Sequence, residues 1–261
     1  MHHVVWITGA SSGIGAALVA EYARQGWFVI ATARRETRLN QVAQESEFSE
    51  RIALLPADLT DLEALPALVD RAWSIHGGID CCILNAGIGQ WGSVAGTALS
   101  VEERLFALNY WSPIATIKAL LPKMERAGFG RIVGISSIAS QFGQRKLAAY
   151  SASKAALHVY FESLREELYQ SPVRVQIVSP GSARTDIMQA SLTESGEPLH
   201  KSGKAQEQGM DPAKLAQAIW RFAQGRGFHA VLAGKDRLAL PLHHYFPQLF
   251  YRILRRNYAR K

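Results

Sequence analysis

The sequence predicts an α/β fold in which one doubly wound, seven-stranded parallel sheet carries helices on both faces. Three observations support this. Short apolar runs alternate with amphipathic helical patterns along the chain, the order expected of parallel strands joined by crossover helices. The runs are apolar at successive residues, as strands buried on both faces must be. A glycine-rich turn follows the first run and opens the first helical pattern; in such sheets ligands lie at the carboxyl ends of the strands.

In chain order, Val4–Thr8 is a short buried strand and Ala16–Arg24, after the glycines, has helical periodicity. Phe28–Ala33 is again strand-like, and Arg38–Glu45 is helical. Apolar, partly β-branched runs at Ile52–Leu55, Ile79–Leu84, Arg131–Ile135, Val173–Val178 and Phe228–Leu232 supply the remaining strands. Between them Leu62–Ile75, Val101–Ala127, Ala152–Tyr169 and Pro212–Gln224 carry helical patterns, the last announced by Asp211-Pro212 as a helix start. Met188–Gly209 is polar and aperiodic and reads as a mobile connection. With 261 residues and no repeat or linker, residues 1–240 form one domain and 241–261 a basic amphipathic helical extension. In that extension Leu249, Phe250, Ile253, Leu254 and Tyr258 recur at helical spacing among Arg252, Arg255, Arg256, Arg260 and Lys261.

Composition excludes several classes. A hydrophobic share of 48% with 20% charged residues is ordinary for a soluble domain. No apolar run approaches the roughly 18 residues of a membrane-spanning helix. The first residues lead straight into a strand, without a basic leader or small-residue cleavage site, so a cytoplasmic location is expected. Cys81 and Cys82 are strand neighbours pointing to opposite faces, which argues against a bridge and for packed thiols. The eight histidines show no ligand-like grouping, and the adjacent His243-His244 pair cannot put both rings on one helical face, so no metal is expected. Of the formal net charge of +7, six positive charges lie from Arg237 onward, where there is no Asp or Glu. The body is nearly neutral, which argues against nucleic-acid binding.

Thr8-Gly9-Ala10-Ser11-Ser12-Gly13-Ile14-Gly15 sits where strand gives way to helix. Its glycines let the backbone turn sharply and approach a pyrophosphate, whose charge the free N–H groups of a helix N-terminus meet. Tyr150 and Lys154 are four apart, hence on one helical face, where an ammonium favours the phenolate and lowers a phenol pKa toward neutrality.

Thr-Gly-x-x-x-Gly-x-Gly, with Asp58, Asn85-Ala86-Gly87, Asn109, Ser137, Tyr150-x-x-x-Lys154, Pro180-Gly181 and Thr185 in order and at matching spacing, resembles the short-chain dehydrogenase/reductase family. The resemblance implies a Rossmann-like fold and a nicotinamide cofactor. It implies that Gly9, Ser11, Ser12, Gly13, Ile14 and Gly15 hold the phosphates and that Asp58 and Leu59 lie at the adenine. Asn85, Ala86 and Gly87 support the sheet beside the cofactor, and Pro180, Gly181, Ala183 and Thr185 hold the carboxamide. Leu84 departs from the pattern, many members having Asn there, and is expected to pack. In the implied mechanism Tyr150 exchanges a proton with the substrate oxygen, Ser137 hydrogen-bonds that oxygen, Lys154 also binds the nicotinamide ribose, and Asn109 supports a water relay.

At the end of the second strand Ala33-Arg34 stands where a carboxylate would select NAD(H). Ala33 removes the repulsion of a 2′-phosphate and Arg34 pairs with it, so NADP(H) is expected; the alternative for Arg35 and Arg38 is a solvated helix-start role, which is the favoured reading for Arg38. Ile88–Trp91, Ile138–Ala149 and the stretch after Thr185 as a lid are expected to form the substrate site. There Ile88, Trp91, Ile138, Phe142 and Leu147 offer apolar surface and Gln90, Gln141, Gln144 and Arg145 polar partners. This set does not select a substrate; a lipophilic carbonyl or secondary alcohol is the expectation. Two readings of the extension stand, peripheral membrane contact or packing on a subunit or its own domain. The resemblance adds a homo-dimer or homo-tetramer through the two long helices. The rival to an enzyme is a cofactor-binding regulatory or membrane-docking protein with little catalysis, against which the complete set Asn109, Ser137, Tyr150 and Lys154 argues.

Overall fold

The computed structural model describes residues 3–201, 203 and 207–259, the last three by backbone alone. Its seven strands are β1 (Val4–Thr8), β2 (Phe28–Thr32), β3 (Ile52–Leu54), β4 (Cys81–Leu84), β5 (Gly130–Ile135), β6 (Val173–Pro180) and β7 (His229–Leu232). All pair in parallel, in the order β3-β2-β1-β4-β5-β6-β7. The order reverses at β1, so a crevice opens between the carboxyl ends of β1 and β4. The helices are α1 (Gly13–Arg24), α2 (Glu36–Gln44), α3 (Leu65–His76), α4 (Leu99–Phe106), α5 (Ser112–Ala127), α6 (Ala148–Glu167), α7 (Pro212–Gln224), α8 (Ala239–Tyr245) and α9 (Pro247–Ala259).

Strand residues alternate between two apolar layers. Val4, Trp6 and Cys82 enter the layer with Leu68, Ile117, Leu157 and Phe161, from α3, α5 and α6. Val5, Ile7 and Cys81 enter the other with Leu18, Leu39, Leu215 and Ile219, from α1, α2 and α7. Each fully buried Leu, Ile or Phe contributes roughly 1.5–3 kcal/mol. Leu84 is buried in the first layer, as its packing role requires. Asp211 caps α7 by accepting from the Ala213 and Lys214 amides, with Pro212 in the first turn.

Two segments differ from the sequence expectation. The single helix expected over Val101–Ala127 is α4 and α5 joined by a π-helical turn, Ala107–Trp111. Its wider turn carries Asn109, whose side chain is fully buried and bonded to a loop that lies far from it in sequence. The stretch Met188–Gly209, read as an aperiodic mobile connection, is tied down at its described residues. Leu192 bridges Gln90 and Pro198, and Met210 bridges Ala183. The Glu194 carboxylate accepts from the Ser93 amide and hydroxyl, each at 2.7 Å. These long-range backbone bridges have no periodic signature.

Candidate active site

The phosphate turn is built by close approach. Gly9 (φ +67°) leaves room for Ala86, whose Cα would lie 2.8 Å from an added Cβ. A Cβ on Gly15 would stand 2.0 Å from the Gly9 carbonyl oxygen. Thr8 and Asn85 lock this turn to the end of β4. The Thr8 hydroxyl accepts from the Asn85 and Ala86 amides at 3.0 and 3.1 Å, and Asn85 Nδ2 donates to the Thr8 carbonyl at 3.0 Å. Ser12, the N-cap of α1, makes no side-chain cap bond, so neither Ser11 nor Ser12 closes off the amides at Gly13 and Ile14. An anion is the natural acceptor there.

The segments that follow β2 and β3 carry the residues expected at the adenosine. Ala33 and Leu59 are buried, and Asp58 accepts from the Thr60 amide and hydroxyl. Those bonds, with the Arg34 guanidinium nearby, hold the Asp58 carboxyl below its usual value against the opposing effect of partial burial. Arg35, for which a solvated role was the alternative, reaches across to the phosphate turn: its Nη2 lies 3.4 Å from Ser11 Oγ and 3.5 Å from Ser12 Oγ. Two exposed cations, Arg34 and Arg35, therefore stand between the end of β2 and the phosphate turn. At the other end Thr185 packs over Gly13, its Cγ2 being 3.0 Å from where a Cβ would stand. Pro180 ends β6, and Gly181 and Ala183 follow it, Gly181 lying too close to Ala233 to carry a side chain.

Across the crevice, Ser137, Tyr150, Lys154 and Asn109 converge from β5, α6 and the π-turn. Tyr150 is hydrogen-bonded to Ser137, whose hydroxyl also accepts from the Ala139 amide at 3.1 Å. The half-buried Tyr150 packs against the cluster of Val101, Leu105 and Leu192, as does Ile88. Burial pushes its phenol above the usual value, and the bond to Ser137 only partly offsets this. This corrects the expectation that Lys154 lowers it. Lys154 Nζ is instead directed at the Ile135 carbonyl, 2.9 Å away, and burial pushes its ammonium down to about 8. A Cβ on Gly87 would lie 3.2 Å from Lys154 Nζ and 3.1 Å from Asn109 Oδ1, so a larger residue would crowd both groups.

Asn109 is a clamp. Its Oδ1 accepts from the Ile88 amide at 2.9 Å, and its Nδ2 donates to the Ile88 carbonyl at 3.0 Å and Ser153 Oγ at 3.1 Å. Ser153 in turn donates to the Tyr150 carbonyl at 2.8 Å, and Ser136 to the Lys154 carbonyl at 3.1 Å. Sequence reasoning missed Ser153. Its position three residues after Tyr150 was the available signal.

Among the residues expected at the substrate site, Ile88 packs on the same cluster as Tyr150. Gln90 is not a substrate partner: it is fully buried, its Oε1 accepting from the Ala149 amide and its Nε2 donating to Thr97 Oγ1. Trp91 lies under Lys146 Nζ at 5.4 Å. Phe142 turns toward the C-terminal helices, 4.8 Å from Phe250 and 5.6 Å from His243. The extension thus packs through Phe250 on its own domain, while Arg260, Lys261 and the Tyr258 side chain lie outside the described residues.

Comparison with known proteins agrees with this geometry. Residues 3–196 match the family model described as short chain dehydrogenase. A "Dehydrogenase/reductase SDR family protein 7-like" of Drosophila melanogaster is 36% identical over 257 residues, covering 96% of this chain and 79% of that one. A short-chain dehydrogenase structure from Streptomyces avermitilis superposes with a TM-score of 0.83 at 28% identity, over 99% of this chain and 98% of that one. One from Sphingobium yanoikuyae, in complex with NADPH, gives 0.74 at 29% identity, over 88% and 87%.

Proposed function

Since the chain belongs to the short-chain dehydrogenase/reductase family and is an oxidoreductase of the nicotinamide-dependent kind, we propose that it reduces the carbonyl group of a lipophilic substrate with NADP(H), Tyr150 donating the proton. The observation that carries this reading is the convergence of Ser137, Tyr150, Lys154 and Asn109 beside an unspent helix N-terminus. The bound cofactor supplies hydride. Tyr150, kept protonated at neutral pH by burial, donates to the substrate oxygen, and Ser137 donates a hydrogen bond to the same atom. The Lys154 ammonium, next to Gly87, supplies positive charge on the cofactor side as the phenol loses its proton. Asn109 holds the loop at Ile88 and, through Ser153, the first turn of α6.

Preference for NADP(H) rests on Ala33, which offers no carboxylate, and on Arg34 and Arg35 beside the phosphate turn. The NADPH complex of the Sphingobium yanoikuyae dehydrogenase is consistent with it. The lipophilic substrate rests on the apolar cluster Val101, Leu105 and Leu192, against which both Ile88 and Tyr150 pack. We place a homo-dimer or homo-tetramer contact along α5, the π-turn that precedes it and α6, where Trp111 and Val159 stand 51% and 58% exposed. The test is a panel of carbonyl substrates followed by NADPH absorbance, on wild type and Tyr150→Phe. Turnover that drops at least ~100-fold supports the assignment; turnover that survives refutes Tyr150 as the acid.

A further inference from the structure

Helices α8 and α9 present two apolar stripes, and the domain uses only one. Phe250 is 5% exposed, packed on Phe142 and His243. Tyr251 and Leu254 lie half-buried beside it. The second stripe faces outward: Tyr245 is 70% exposed, Phe246 62%, Leu249 47% and Ile253 42%. Phe246, Leu249 and Ile253 follow at three- and four-residue spacing, so they line one side of the helix and its entry.

Charge selects what covers this stripe. Arg252, Arg255 and Arg256 are exposed and have no ion-pair partner among the described residues, and no Asp or Glu follows Asp236 in the sequence. A second copy seated symmetrically on the stripe would bring two such arginine sets together with no carboxylate from this segment between them. A surface that is apolar within and anionic outside satisfies both the stripe and the arginines. That is the chemistry of an anionic lipid bilayer, in which a basic amphipathic helix lies flat with its apolar side among the acyl chains. No helix among the described residues is long and apolar enough to cross a membrane, which leaves the helix face as the contact.

We propose that Tyr245, Phe246, Leu249 and Ile253, flanked by Arg252, Arg255 and Arg256, form a docking surface for an anionic lipid bilayer. Tyr245 also lines an open cavity of about 440 Å³ with Leu240, Pro241, His243, His244 and Gln141. Gln141 lies four residues beyond Ser137 in sequence. Docking through the stripe therefore brings the mouth of this cavity to the lipid surface.

The full chain is sedimented with vesicles of equal phosphatidylglycerol and phosphatidylcholine, and with pure phosphatidylcholine, at low and high salt. Pelleting with the anionic vesicles alone, weakened by salt, is expected. Leu249→Glu/Ile253→Glu and Arg252→Glu/Arg255→Glu/Arg256→Glu should each reduce it at least ~10-fold with the thermal midpoint unchanged, since these side chains are exposed. Absence of pelleting, equal pelleting with pure phosphatidylcholine, or binding that neither variant alters overturns the proposal. So does a dimer, seen by sedimentation velocity without vesicles, that Leu249→Glu/Ile253→Glu abolishes, because a second copy would then cover the stripe.

Discussion

Replacing Arg34 and Arg35 together by alanine should abolish the preference for NADPH while sparing NADH. Arg35 Nη2 stands 3.4 and 3.5 Å from the hydroxyls of Ser11 and Ser12, and Arg34 is close enough to Asp58 to help hold its carboxyl low. A charge-assisted hydrogen bond contributes a net ~1.5–3 kcal/mol, and solvent screening of these exposed guanidinium groups puts each at the lower end. Tenfold in affinity corresponds to about 1.4 kcal/mol, so each single substitution is expected to weaken NADPH about tenfold. Because both groups serve one phosphate, the pair should cost less than the product, ~30–100-fold. NADH lacks that phosphate and should shift less than ~3-fold on the same grounds. Fluorescence titration with both reduced cofactors measures this directly. A parallel loss of NADPH and NADH, or NADPH affinity unchanged in the double variant, would refute the assignment of these arginines.

Gly15→Ala places a Cβ 2.0 Å from the Gly9 carbonyl oxygen, so the turn must open; the cost belongs at the upper end of overpacking, ~3 kcal/mol. For a chain of this size that lowers the thermal midpoint by ~6–12 °C, and a midpoint within ~2 °C of wild type contradicts the close-approach argument. Asn109→Ala strands the Ile88 amide and carbonyl inside the protein, with an expected loss of ~2–4 kcal/mol in urea unfolding; under ~0.5 kcal/mol would mean that water replaces the clamp. Burial pushes Lys154 down to about 8, so its ammonium is present below that pH and lost as pH rises through it. Carbonyl reduction at saturating cofactor should therefore fall on the alkaline side with an apparent pKa near 8, and a flat profile between about pH 7 and 9.5 would show that the charge is not needed.

Much of this molecule was legible because the relevant signals are local. A strand buried on both faces must be apolar throughout, and Val4–Ile7 and Cys81–Leu84 are. Glycine is required where a turn folds back within a Cβ radius, and Gly9 and Gly15 stand there. Tyr150 and Lys154 share a helical face whatever surrounds them. Residues whose partners lie far away in sequence were read less well. Gln90 looked available to a substrate, yet Ala149 and Thr97 consume its amide. Arg35 could be read as a solvated surface residue, yet it spans to Ser11 and Ser12. The stretch Met188–Gly209 looked like a mobile connection because bridges to Gln90 leave no period.

By itself, then, the sequence determined the parallel α/β architecture, the phosphate turn and the identity of the residues that line the crevice, since backbone sterics and side-chain period act over a few neighbouring residues. Only the tertiary structure decided three further matters. It showed that Asn109 clamps Ile88 from a π-turn, that burial pushes the Tyr150 phenol up, and that the extension docks by Phe250 while leaving Leu249 and Ile253 outside. Each depends on desolvation or on a contact between segments distant in the chain, and those quantities exist only once the chain has closed around them.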